Sequence, residues 1–381
     1  MLEKSVQSRV GRALGVLALM VAVLGGGAWG LNGAPAFGVA TSGLAQDGGA
    51  RGVFPLAEQL EAHAAGGGFV LVEGAEGEIV CREATPEEAV WMQRRDPTVP
   101  LHVISPLRTS QQQTGLRIIL RATPQLEQFP QAKAAFLRAA QTWERLIRNP
   151  ITLVLDVDFG PTRFGEPYPQ GVIGSTVTQE IGGRNAYPDV RAQLLRGASS
   201  QEAVVYNALP QGQVPTDLGP TAAVFAPSAV FRALGLIPPV ADPDGERSRF
   251  GDPPSIGFNS NIPFDFNPDD GIDPDKIDFD ATVVHEIGHA LGFASEVGVR
   301  ELNPSAPVAV SVWDLFRFRP GVTLETFSTR QRILSSGGEQ IFFAGPPELP
   351  LSTGRPDGSG GDGQQASHWK DDALTGQYIG I

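Results

Sequence analysis

Residues 280–293 read DATVVHEIGHALGF and carry the most specific pattern of the chain. His285 and His289 are four residues apart, so on a helix they share one face and can reach one metal ion. Neutral imidazole nitrogens suit zinc, and a catalytic zinc takes three protein ligands and a water. Glu286 follows the first histidine and is placed to act as general base toward that water. The pattern predicts a zinc-binding, catalytic helix.

The residues around this pattern also fit a helix. Asp278 or Asp280 can cap its N-terminus, and Gly292 can end it in a left-handed turn. The other faces are apolar, as in a helix that forms the floor of a cleft: Val283, Val284, Ile287, Ala290 and Leu291. The alternative is an ordinary amphipathic helix with its histidines on the surface. This alternative is disfavoured because the capping residues and the apolar pattern both fit a buried helix.

Two histidines leave the predicted site one ligand short. Where short-spaced zinc proteases place a third histidine, six residues after the second, this chain has Ser295. His368 is the one histidine farther downstream, in the stretch QASHWKDD at 365–372, and a Gly/Asp-rich loop precedes it. The alternative is a surface histidine beside a half-buried Trp369. Spacing favours the ligand, because a two-histidine zinc site without a carboxylate partner is rare.

Taken together, HEIGHALGF at 285–293 and the distant SHW at 367–369 resemble the leishmanolysin-type metzincins, in their secreted bacterial form. The order of elements upstream is also similar. The resemblance spans 115–381 as architecture and is specific at 278–293 and 366–369. It implies that His285, His289 and His368 bind zinc and that Glu286 is catalytic. It also implies that 255–262 form the edge strand along which a substrate peptide lies extended.

The chain departs from that family at the methionine turn, which metzincins place beneath the zinc shortly after the third histidine. Met1, Met20 and Met92 are the methionines of this chain, which stops at Ile381. We expect the natural reading frame to continue, with a methionine within the next few residues. A variant that lacks the turn is the alternative.

Hydrophobic periodicity predicts an α+β fold, and the resemblance makes it a metzincin-like catalytic domain. That domain would have a twisted mixed sheet, a Trp-bearing backing helix, an active-site helix and a loop-rich C-terminal subdomain. Predicted strands are 69–81 (a hairpin turning at Glu76-Gly77), 116–122, 151–159 with one core face, 203–209 and 255–261. Predicted helices are 86–94, 131–148, 221–236, 280–293 and 312–318.

Four regions follow along the chain. Residues 1–36 are predicted to be a signal peptide, and 37–110 an N-terminal segment that could be a propeptide. Residues 111–292 form the N-terminal catalytic subdomain with the zinc helix. Residues 293–381 form a C-terminal subdomain, expected to be truncated, that supplies the third ligand. The boundary near 110 lies in a polar patch, SQQQT at 110–114.

Composition and the N-terminus indicate the compartment. The 381 residues carry a net charge of −13, which argues against a nucleic-acid partner. Basic residues Lys4, Arg9 and Arg12, an apolar run at 13–24 and the small-residue site APA at 34–36 indicate a cleaved secretory signal; an uncleaved anchor is the alternative. We expect an extracellular or periplasmic protein, free of the membrane after cleavage and monomeric.

Weaker signals leave alternatives open. Cys81, the single cysteine, excludes an internal disulfide; a buried free thiol is favoured over a latency switch on the zinc. An Asp-rich stretch at 265–280 begins like a calcium loop but has Asp270 and Lys276 where Gly and Glu belong, which favours a solvated loop over structural Ca²⁺. His63 and His102 are interpreted as surface or core residues, and packing is the favoured role for Tyr378.

The sequence therefore predicts a secreted zinc-dependent endopeptidase that acts on protein or peptide substrates, with Glu286 as general base. The alternative is an exported, non-catalytic zinc-stabilised binding protein, or an inactive truncated metalloprotease. Retention of Glu286 favours the enzyme, since a structural zinc site does not need that carboxylate. The absent methionine turn favours the alternative.

Overall fold

A computed structural model describes residues 59–63, 68–74, 79–106, 114–267, 270–355 and 360–370. Several sequence-based predictions lie outside these residues: the signal peptide at 1–36, the Glu76-Gly77 turn, most of the polar patch at 110–114, Asp269 and Tyr378. Within the described ranges, no helix is both long and apolar enough to cross a membrane.

The described chain is mixed α+β, as the sequence predicts. Its strands are β1 (Glu61–Ala62), β2 (Gly68–Glu73), β3 (Ile79–Glu83), β4 (His102–Val103), β5 (Arg117–Ala122), β6 (Thr152–Gly160), β7 (Thr162–Arg163), β8 (Glu166–Pro167), β9 (Val172–Val177), β10 (Glu180–Gly183), β11 (Val224–Pro227), β12 (Ser255–Asn259), β13 (Phe264–Asp265), β14 (Ile277–Asp278), β15 (Arg317–Phe318), β16 (Ile341–Phe342) and β17 (Leu349–Pro350).

Its α-helices are α1 (Pro86–Gln93), α2 (Pro130–Leu146), α3 (Tyr187–Gly197), α4 (Ser200–Asn207), α5 (Ser228–Ala233), α6 (Pro243–Phe250), α7 (Phe279–Leu291) and α8 (Val299–Leu302). Short 3₁₀ helices cover Pro124–Gln128 and Asp314–Phe316. The predicted helix at 312–318 is therefore wrong beyond this single turn, since the chain continues as β15.

A twisted mixed sheet of seven strands carries the fold, in the order β3-β2-β9-β12-β6-β5-β4. β5, β6 and β12 run parallel, whereas every other neighbouring pair is antiparallel. The hairpin strands predicted at 69–81 pair as expected. The described part of the predicted N-terminal segment joins this sheet at both ends, with β2 and β3 on one side and β4 on the other.

The expectation that 255–262 form an edge strand is wrong. β12 lies inside the sheet, between β6 and β9. The sequence analysis missed β9, which is short and contains Gly174. A Cβ atom at Gly174 would lie 2.4 Å from the Phe258 ring, so packing requires glycine at this position. Glycine is uncommon inside strands, and its presence weakens the strand pattern of the sequence.

The single core face predicted for 151–159 is also wrong. All of β6 is buried, including Asp156 and Asp158, because β6 is a central strand covered on both sides. Arg95 and Arg121 pair with Asp156, and Thr123 is among the groups that donate hydrogen bonds to Asp158. These partners compensate the burial of two carboxylates, which the alternating pattern could not reveal.

Two further elements differ from prediction. The predicted strand at 203–209 is α4, which begins with a reciprocal capping box: Ser199 Oγ accepts from Glu202 N, and the Glu202 carboxylate accepts from Ser199 N. The predicted helix at 221–236 is instead β11 followed by the short helix α5, because β10 pairs with 224–227 and draws them into a strand.

Helix α2 backs the predicted zinc helix α7. The Trp143 indole Nε1 donates to the carbonyl oxygen of Val284 at 2.9 Å. Behind α7, the fully buried Phe279 ring lies 4.9–5.8 Å from five other phenylalanine rings: Phe136, Phe159, Phe258, Phe264 and Phe266. Helix and sheet therefore form one packed core that fixes the position of α7.

Candidate metal centre

Helix α7 carries two of the predicted ligands, His285 and His289, and is capped at both ends. Asp278, not Asp280, is the N-cap, and its Oδ1 accepts from Ala281 N at 3.0 Å. The helix ends at Gly292, whose φ of 152° favours glycine but lies outside the left-handed helical conformation expected from the sequence. Asp280 pairs with Arg138 of α2. These contacts fix the position of α7, and with it the positions of His285 and His289, relative to the core.

The three predicted histidines come together. His289 Nε2 lies 3.2 Å from His285 Nε2 and 3.3 Å from His368 Nε2. Ligand atoms of a tetrahedral zinc with Zn–N bonds of 2.0–2.1 Å are about 3.3–3.4 Å apart, so these spacings fit a shared ion. The sequence prediction that His368 returns to the α7 histidines therefore agrees with the geometry.

The chemical state of the histidines also suits a metal. Burial lowers the pKa of His289 to about 4, and holds the pKa values of His285 and His368 well below their usual range. His289 Nδ1 lies 2.7 Å from the Phe293 carbonyl oxygen, which can only accept, so Nδ1 carries the proton and Nε2 presents a lone pair. Neutral imidazoles with fixed tautomers are the form that binds a divalent ion.

The loop that carries His368 is fixed from several directions. Ser367 Oγ donates to the Phe293 carbonyl at 3.0 Å, and Ser352 N donates to the His368 carbonyl at 3.0 Å. Trp369 packs on Trp313, with ring centroids 4.8 Å apart. The buried Arg317 donates to the carbonyl oxygen of the neighbouring Ala366. Sequence reasoning missed Arg317, because apart from Asp314 its partners are distant in the chain: Gln340, Ser352 and Ala366.

Cys81 is a fourth member of the cluster. Its Sγ lies 3.6 Å from His289 Nε2, close to the S–N spacing of about 3.6 Å expected around a tetrahedral zinc. The donor atoms of Cys81 and the three histidines all lie within 4.8 Å of one another. The favoured sequence interpretation, a buried free thiol, describes its burial but not its location at the metal-binding cluster. Burial first, and then the Glu286 charge, raise the pKa of the Cys81 thiol, so its deprotonation needs a cation.

Glu286 lies beside this cluster and is fully buried. Its Oε2 accepts from the Thr176 hydroxyl of β9. Its Oε1, 3.9 Å from His285 Nε2, has no hydrogen-bond partner among the described residues. Burial raises the pKa of Glu286 to about 8, despite the opposing hydrogen bond from Thr176. Thr176 thus anchors Oε2, while Oε1 is the oxygen at which a proton is held or released, and a cation at the histidines would favour the charged carboxylate.

The remaining candidates lie away from this cluster. The Asp265 carboxylate accepts from the backbone N–H groups of Asn267 and Asp273, and Lys276 pairs with Asp273. Among the described residues of this stretch, these carboxylates therefore stabilise turns, and Asp265 is buried where the solvated-loop interpretation expects exposure. His102 is a surface residue paired with Glu127. His63 is buried in a different part of the structure.

Comparison with protein-family models, curated proteins and solved structures gives no match for this chain. Within the described residues, two groups of histidine, cysteine and glutamate donors could hold a metal ion.

Proposed function

We propose that this chain is a zinc-dependent endopeptidase of the leishmanolysin-like metzincin type, secreted, and latent in the conformation described here. The observation that carries the proposal is the arrangement at Glu286. Its unpartnered Oε1 lies beside three neutral imidazoles, while Thr176 holds its Oε2. A purely structural zinc site has no need of a buried carboxylate kept in this state.

His285, His289 and His368 are the residues that would hold the ion. Zinc bound there would polarise a peptide carbonyl and lower the pKa of a water toward 7. Glu286 would take the proton of the attacking water at Oε1 and deliver it to the leaving amine. Thr176 keeps the carboxylate oriented through both transfers.

Strand β9 is the proposed platform for the substrate. It carries Thr176 next to Glu286, and its outer side is covered by β2, in which Phe69 pairs with Thr176. An extended peptide could add to β9 in the same way if β2 and β3 withdrew. Phe69 also packs on the His289 ring, with centroids 4.5 Å apart. The N-terminal strands therefore occupy the place where a substrate would bind.

Cys81 supports the same interpretation. It lies in β3, and its backbone oxygen accepts from Gln365 N at 2.9 Å, beside the loop that carries His368. A thiolate is a strong zinc ligand and would take the position that a catalytic zinc leaves for water. Displacement of β2 and β3 would remove the thiolate and uncover β9 in one step.

The non-catalytic alternative rests on one specific observation. Three histidines and one cysteine make a closed four-donor set, and closed sets are typical of structural zinc. In that case Cys81 would be a permanent ligand, and opening the N-terminal segment would destabilise the protein without producing hydrolysis.

The two functions separate in one experiment. A recognition site for a specific protease is inserted at Ser110, the predicted boundary, and the folded chain is cut there. We expect casein hydrolysis to appear after the cut, to stop on chelation and to return with Zn²⁺. The uncut insertion variant and the cut chain with Glu286→Gln are the controls. A cut, zinc-loaded chain with the N-terminal segment released that cleaves no member of a peptide library would contradict the endopeptidase proposal.

A further inference from the structure

A second group of metal-ligating side chains lies apart from the candidate metal centre and shares no residue with it. His63 follows β1, Glu180 begins β10, and Glu296 lies beyond the C-terminal end of α7. One donor atom from each of the three lies within 4.8 Å of the other two. We propose that His63, Glu180 and Glu296 bind a second divalent transition-metal ion, of the zinc class, that fastens the N-terminal segment to the loop after α7.

The spacing of the buried pair supports an ion. His63 Nε2 and Glu296 Oε2 are 3.3 Å apart, which is the separation of about 3.3 Å between two ligand atoms of a tetrahedral zinc. The same two atoms form an ion pair when the imidazole is protonated, so the ion would take the place of that proton between them. His63 is only 8% exposed, so its Nε2 is a buried polar atom that faces the Glu296 carboxylate.

The surroundings hold the imidazole in place. The His63 ring stacks on Phe225, with centroids 4.1 Å apart and planes inclined by 25°. His63 N donates to the Glu180 carbonyl oxygen at 2.9 Å, which continues the pairing of β1 with β10. Glu296 N donates to Asp314 Oδ2 at 2.8 Å, so the backbone of the third ligand is also fixed. A preorganised set of donors binds an ion without a further ordering cost.

The charge of the group calls for a cation. The carboxylates of Glu296, Glu180 and Glu61 all raise the pKa of His63. An imidazole with carboxylates suits zinc and related transition ions better than calcium, which takes oxygen ligands alone. The competing occupant is a proton: burial lowers the pKa of His63, but the three carboxylates raise it to about 9.

Such an ion would act on the N-terminal segment. His63 belongs to that segment, whereas Glu180 and Glu296 belong to the part predicted to be catalytic. Binding would add a cross-link near β1 that is independent of the Cys81 contact at β3. Removal of the ion would therefore loosen the first strand of the segment while leaving the three-histidine centre intact.

Zinc stoichiometry of the full chain tests the inference, with Zn²⁺ alone as the probe after chelation and reloading. We expect two equivalents for the parent and one for His63→Ala. The matched control is His102→Ala, which changes an exposed histidine also paired with a glutamate and should keep both equivalents. His289→Ala identifies the equivalent that belongs to the three-histidine centre, so failure of that centre and failure of this site are distinguished.

Glu296→Gln provides a second variant of nearly unchanged volume, in case His63→Ala disturbs folding. It should also retain one equivalent, namely the one that His289→Ala abolishes. A parent that binds a single equivalent, unaffected by both His63→Ala and Glu296→Gln, would overturn the inference and leave a proton as the occupant of this group. Two equivalents that both variants leave in place would overturn it as well.

Discussion

Cys81 Sγ lies 3.6 Å from His289 Nε2, although 208 residues separate the two in the chain. The contact joins β3 to α7, and β3 reaches α7 because β2 pairs with β9 beside the helix. β2 thus covers the outer side of β9, and β3, which pairs with β2, brings a thiol to the histidine cluster. One hairpin therefore provides both the strand beside β9 and the thiol beside the histidines.

Replacement of the thiol provides a spectroscopic test of this contact. In the Co²⁺-loaded parent, a thiolate ligand should produce a sulfur-to-metal charge-transfer band, and Cys81→Ser should abolish the band while the metal stays bound to the histidines. Because Cys81 is the only cysteine, the band has no other source. Identical spectra of parent and variant would show that the thiol is not a ligand.

Thr176 is predicted to position Glu286. Thr176→Val keeps the shape of the side chain but removes the hydrogen bond to the carboxylate. Hydrogen bonds to charged groups contribute about 1.5–3 kcal/mol, so we expect kcat of the cut enzyme to fall roughly 10- to 100-fold, with zinc affinity unchanged. Thr142→Val, on the exposed side of α2, is the control. Unchanged kcat would exclude the positioning role.

His368 is predicted to be the third ligand. Loss of an outer-shell partner of a metal ligand already weakens binding by 10- to 100-fold. His368→Ala should therefore weaken zinc binding at this centre by more than about 100-fold, measured by competition with a chelator. His102→Ala is the matched control, since it removes a histidine that lies on the surface. Parent-like affinity in His368→Ala would refute the assignment.

The local part of this architecture could be predicted from the sequence. Periodicity and caps give α7 within two residues, and spacing alone brings His285 and His289 together. His368 could be inferred because a zinc site with two histidines is incomplete. The same reasoning could not place Cys81 or Thr176 at the site, since both arrive through pairing of β2, β3 and β9 far from α7 in the chain.

Other errors have the same physical origin. The alternating pattern of β6 predicts that Asp156 faces solvent. The residue is buried because Arg95 and Arg121, which are distant in the chain, pair with its carboxylate. The pairing of β11 with β10 overrides the local helical pattern that predicts a helix at 221–236. In contrast, the Ser199 and Glu202 capping box was present in the sequence and could have identified α4.

Phe279 is predicted to anchor α7 to the core. Its fully buried ring packs against five other phenylalanines, so Phe279→Ala removes contacts and leaves a cavity. The free energy of unfolding should fall by about 3–5 kcal/mol in urea titrations. Leu324→Ala, at a position 37% exposed, should change it by less than about 0.5 kcal/mol. A loss below about 1 kcal/mol for Phe279→Ala would contradict the anchoring role.

Glu286 provides the most direct test of the central claim, that the three-histidine centre is catalytic. Glu286→Gln and the parent are compared after the cut at Ser110, by zinc content and by hydrolysis of the same peptide. The account predicts that the variant keeps the zinc that His289→Ala removes, while hydrolysis falls by roughly two to four orders of magnitude. Full hydrolysis by the zinc-loaded Glu286→Gln chain would contradict it.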